Sequence, residues 1–85
     1  MCYLMVAFKS RTQTTEFLYA LRERNILCSL MNTLKEANLG CGLSVKVSYS
    51  ALHELKNMIN RGGYSSFAGV YKVCTECGRG SVSLL

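Results

Sequence analysis

The apolar run Tyr3-Leu-Met-Val-Ala-Phe8 limits the fold more than any other segment of the chain. It is far shorter than the roughly 20 residues of a membrane-spanning helix. It is also too short for a helix of ordinary length, and polar residues follow it directly. An unbroken apolar run of this length reads as a buried strand. Such a strand belongs in the middle of a sheet, and the remaining elements have to cover it.

The next segments supply that cover. Ser10 opens a helix, its hydroxyl placed to cap the first turn, and Gln13 three residues on completes a capping-box pattern. Thr14, Phe17, Leu18 and Leu21 recur at helical spacing and form its buried stripe, and the helix ends near Asn25. Ile26 to Met31 reads as a second strand with Cys28 in the core. A polar, glycine-ended connection runs from Asn32 to Gly42, longer than the usual hairpin loop of about 2–5 residues. Leu43, Val45, Val47 and Tyr49 then alternate with Ser44, Lys46 and Ser48, the period of a half-buried strand. A second helix follows from Ser50, with Ala51, Leu52, Leu55, Met58 and Ile59 facing inward and Gly62-Gly63 as its stop. Phe67 to Val73 is the last predicted strand.

This order, strand-helix-strand twice over, predicts an α+β fold: a ferredoxin-like split β-α-β sandwich (βαββαβ) with a four-stranded antiparallel sheet and two helices on one face. The first and third strands take the centre. Eighty-five residues suffice for one core, assigned to residues 1–73, with residues 74–85 as a mobile tail.

The five cysteines are an odd number at irregular spacing, so they read as thiols in a reducing compartment. The N-terminus lacks the pattern of a secretory signal, and a cytoplasmic location is the expectation. Lys and Arg number 10 against five Glu and no Asp, but the cations are scattered singly. A solvated surface explains them better than nucleic-acid binding. No membrane association is expected.

Cys41 stands between Gly40 and Gly42, which have no side chains to shield its sulfur. In the predicted topology the end of the first strand, the start of the first helix and the long connection meet at one end of the sheet. Helix-opening amides at Ser10, with the cations Lys9, Arg11 and Lys35, would favour the thiolate there. At the opposite end Cys2 approaches Cys74 and Cys77. Cys74-Thr-Glu-Cys77 is a single C-x-x-C, half of a tetrahedral zinc site or a redox pair, and His53 near that end would be the fourth ligand with Cys2. Without a second C-x-x-C, no metal and no cofactor is expected. The lone His53, the absence of Asp and the lack of a phosphate-binding loop argue against an independent catalyst.

With Phe8-Lys9-Ser10 closing the first strand, Phe17 and Leu21 in the helix, Ile26, Cys41-Gly42 before the third strand and Gly69-Val-Tyr71 in the last, residues 3–73 resemble the putative selenium/sulfur carrier-like family of small bacterial proteins. The resemblance implies a ferredoxin-like fold and a Cys-Gly thiol that carries sulfur or selenium. Sulfur or selenium donor and acceptor proteins would be the partners. Two other readings compete with it: a small binding or regulatory module using the open sheet face, and a zinc or redox sensor acting through Cys74 and Cys77.

Overall fold

The computed structural model of the chain describes residues 1–34, 42–76 and 79–85. Strand β1 (Cys2–Phe8) leads into helix α1 (Arg11–Glu23), then strands β2 (Cys28–Asn32) and β3 (Leu43–Ser48). A 3-10 turn at Tyr49–Ala51 precedes helix α2 (Leu52–Gly62), and strands β4 (Phe67–Glu76) and β5 (Arg79–Leu84) complete the order. The strands form a five-stranded antiparallel sheet in the order β2-β3-β1-β4-β5.

The four-stranded βαββαβ expectation is therefore corrected. Residues after Val73 are not a tail: β4 continues to Glu76 and returns as β5, with Val73 opposite Val82 and Tyr71 opposite Leu84. Burial explains the extra strand. Tyr71 and Val73 are 6% and 3% exposed on the sheet face away from the helices, and Val82 packs against them. Without β5, that edge of the apolar face would be open to water.

The predicted pairing of the first and third strands is present, from Tyr3 opposite Ser48 to Ala7 opposite Ser44. Leu4, Met5, Val6, Ala7 and Phe8 are all fully buried, as an unbroken apolar run requires. Leu4, Val6 and Phe8 pack with Phe17, Leu18 and Leu21 of α1 and with Leu55 and Met58 of α2, so both helices lie on one face. Met5 and Ala7 belong to the second cluster, where Tyr3, Met31 and Leu34 join Tyr71 and Val73. Ala7 faces Gly69 while Phe8 faces Phe67, which leaves Ala68 as the extra residue of a bulge.

Local chemistry sets the helix ends. The Ser10 hydroxyl accepts from the Gln13 amide at 3.2 Å, the predicted cap. The reciprocal half of the capping box is absent. Gln13 Oε1 instead accepts from the Ser66 amide at 2.9 Å and from its hydroxyl, while the Ser10 amide donates to Ser66 Oγ at 3.2 Å. The start of α1 is thereby tied to the approach to β4. At the other end Asn25 takes φ 60°, with Asn25 N donating to Arg22 O and Ile26 N to Leu21 O. This is the Schellman arrangement, and it draws Ile26 into the helix stop, so that β2 opens at Cys28 and not at Ile26. Gly63, at φ 63°, ends α2 in the left-handed conformation foreseen for it.

Candidate functional site at the Gly42 end of the sheet

Because β1 and β2 both run antiparallel to β3, the end of β1, the end of β2 and the start of β3 share one end of the sheet. Ala7 is opposite Ser44, so Lys9 and Gly42 each lie two residues beyond that pair. Gly42 has φ 89°, and a Cβ built on it would meet nothing within 4 Å. Its requirement is conformational: only glycine adopts this backbone without strain. Thr33 N donates to Gly42 O at 2.9 Å, and the Thr33 and Ser44 hydroxyls share a hydrogen bond of 2.7 Å. These two bonds close the mouth of the connection that carries residues 34–41.

Lys9 and Arg11 are exposed at this end, and Ser10 is half-buried between them. Lys9 N donates to Ser66 O at 2.7 Å, which fixes the backbone where β1 turns into α1. The Ser10 carbonyl accepts from the amide and the hydroxyl of Thr14, at 3.0 and 2.9 Å. Of the predicted site residues, the structure thus brings Lys9, Ser10, Arg11 and Gly42 to one end. Cys41, Gly40 and Lys35 lie outside the described residues, as does Cys77.

The opposite end holds the feature the sequence reading missed. Cys2 and Cys74, expected as neighbouring thiols, form a disulfide with their Cα atoms 4.0 Å apart. They are register partners on β1 and β4. One residue outward, Thr75 N donates to Met1 O at 2.9 Å and Met1 N to Thr75 O at 3.0 Å. Since hydrogen-bonded pairs alternate along an antiparallel ladder, Cys2 and Cys74 occupy a non-hydrogen-bonded pair, the closer-spaced kind. The parity of five cysteines rules out complete pairing, but it leaves room for one pair or two. The signal that would have found it is the registry of strands one and four.

With both sulfurs in that bond, Cys2 and Cys74 are not available together as zinc thiolates in this structure. His53 is exposed in the first turn of α2. Among the described residues there is no cluster of three or more His, Cys, Asp or Glu side chains able to hold a metal. Cys28 is a free thiol packed against the helix-side core, where its S–H donates to Leu18 O at 3.7 Å.

A cleft of about 470 Å³ also lies toward the disulfide end, lined by Tyr3, Leu27, Lys46 and Ser48 among others. The Lys46 ammonium sits 4.6 Å from the Tyr3 ring centroid there. It shares no residue with the Gly42 end. Among the described residues no helix is long and apolar enough to cross a membrane.

No curated protein and no solved structure matches the chain. A family profile described as "Putative Se/S carrier protein-like" matches residues 3–72, a span that includes Tyr3 to Phe8 of the first strand, the start of α1 and Cys41-Gly42. The match covers most of the 85 residues, and the chain belongs to this Se/S carrier protein-like family.

Proposed function

We propose that the chain is a sulfur or selenium carrier whose working group is the Cys41 thiol. The observation that carries this reading is the family match, because it runs through Cys41-Gly42 and through Lys9-Ser10-Arg11. The geometry around it is compatible: Gly42 and the two cations share one end of the sheet, and the Thr33 bonds fix the base of the connection. Nearby cations favour a thiolate over a thiol.

The chemistry asks for little more than that thiolate. Cys41 attacks the terminal sulfur of a donor protein's persulfide, the bond between that sulfur and the donor cysteine breaks, and the donor leaves as a thiolate. Cys41 then holds the sulfane sulfur as a persulfide. The same exchange on a donor's terminal selenium leaves a selenosulfide. An acceptor nucleophile removes the atom and restores the Cys41 thiolate. Donor and acceptor supply all other groups, so no triad is needed in this chain.

The test is persulfide loading from a cysteine desulfurase, read as added sulfur mass on a mapped peptide. Cys41→Ser is expected to abolish loading with the fold intact, and Cys74→Ser to leave it unchanged. Loading in Cys41→Ser equal to that of the unaltered chain would overturn the carrier reading.

A further inference from the structure

We propose that the Cys2–Cys74 disulfide is a thiol–disulfide exchange site for a low-molecular-weight thiol carrying carboxylates, separate from the Cys41 chemistry. The site does not depend on the carrier reading. Six residues of β3 separate the Gly42 end from Ser48, the partner of Tyr3. At ~3.3 Å per residue the two ends lie roughly 20 Å apart.

Three observations carry the inference. The first is access. Cys2 and Cys74 are only half-buried, unlike the fully buried residues that follow Tyr3 on β1. The second is that backbone pairing flanks the bond on both sides. The β1–β4 ladder pairs Tyr3 with Val73 and continues through Met5 opposite Tyr71, and the Met1–Thr75 bonds hold the strands together on the outer side. The two sulfurs therefore stay opposed whether or not they are joined, and the bond can open and close again without unfolding.

The third observation is charge. Lys72 lies two residues before Cys74, so both project from the same face of β4. Its ammonium is held 4.7 Å from the Tyr49 ring centroid. A cation at this position attracts an anionic thiol and stabilises the thiolate released when the disulfide opens.

The reaction balances with the small thiol as reductant. Its thiolate attacks one sulfur of the pair, forming a mixed disulfide and releasing the other cysteine as a thiolate. A second small thiolate attacks the small-molecule sulfur of the mixed disulfide and frees the first cysteine. Two small thiols are oxidised to their disulfide, and the protein gains two electrons and two protons as a dithiol. In oxidising mixtures the same steps run backwards.

The experiment equilibrates the full chain in graded mixtures of reduced and oxidised glutathione, traps thiols by acid quench and alkylation, and maps them by mass spectrometry. Cys2 and Cys74 are expected to convert together and reversibly, with a glutathione adduct trapped on one of them and the far-ultraviolet circular dichroism unchanged. Cys41→Ser should behave identically, which separates this result from the carrier test. Lys72→Gln should slow reduction by roughly threefold to tenfold, with Lys72→Arg restoring the rate. Persistence of the disulfide in all mixtures, its mapping to Cys74–Cys77, or an unaltered rate in Lys72→Gln would overturn the proposal.

Discussion

Thr33 Oγ1 and Ser44 Oγ lie 2.7 Å apart across the mouth of the β2–β3 connection, with Ser44 fully buried and Thr33 half-buried. The pair sits beside the Thr33–Gly42 backbone bond, at the base of the segment that carries Cys41. Ser44→Ala deprives the Thr33 hydroxyl of this partner and is expected to cost about 1 kcal/mol. Thr33→Val combined with Ser44→Ala should cost less than the two single changes together, because no hydroxyl is then left facing an empty position. Urea midpoints of the four proteins measure this, and strict additivity would show that the two hydroxyls do not interact.

Two adjacent glycines end α2 for different reasons, and their substitutions should separate. Gly63 is left-handed at φ 63° with open space around it, so Gly63→Ala is expected to cost about 1 kcal/mol for backbone conformation alone. At Gly62, a Cβ would run into the Tyr64 ring. That ring cannot swing aside freely, since it packs against Phe8 and Phe17 with centroids 5.4 and 5.2 Å away. Gly62→Ala should therefore be the more damaging change, by about 1–3 kcal/mol of overpacking. Denaturation midpoints decide the order, and equal losses would contradict the role given to the aromatic cluster.

The disulfide links residues 72 apart in sequence. Closing a loop of that size in the unfolded chain stabilises the folded state by about 4 kcal/mol in the chain-entropy description. The Cys2→Ser/Cys74→Ser protein should lose stability on that scale while keeping its circular dichroism, since the β1–β4 ladder remains. A loss of secondary structure in this variant would mean that the bond holds the ladder together.

The buried centre of this fold was legible because burial leaves a direct trace in residue type. Leu4 to Phe8 had to be interior, and α1 carried its stripe at Thr14, Phe17, Leu18 and Leu21. Strand β5 left a fainter trace. Ser81, Val82, Ser83 and Leu84 alternate with period two, but the segment is short and carries only two large apolar residues, and the neighbouring C-x-x-C drew Cys74 into a supposed tail. Gln13 shows a different limit. Its spacing from Ser10 predicted a local cap partner, whereas Ser66, 53 residues away, offered its side chain an amide and a hydroxyl. Long-range partners of that kind are set by topology and cannot be read from spacing. At the candidate site, Lys9, Ser10, Arg11 and Gly42 followed from strand order, while the disulfide required the register of β1 on β4 as well.

Tyr64 links stability to alkaline pH. Burial pushes its phenol above the ordinary tyrosine value, the Glu16 carboxylate adds to the shift, and the Arg24 guanidinium works against it. The folded protein therefore holds the phenolic proton more tightly than the unfolded chain. This contribution is fully present below the unfolded pKa of about 10 and is lost as pH rises through the higher folded value. Tyr64→Phe keeps the ring contacts with Phe8 and Phe17 and removes the ionisation. From just below the unfolded value of about 10 until the pH has passed the raised folded value, the urea midpoint of the unaltered chain should fall more steeply than that of Tyr64→Phe. Parallel curves for the two proteins would show that Tyr64 ionises equally easily in both states, and the burial of its phenol would then have no part in the pH dependence.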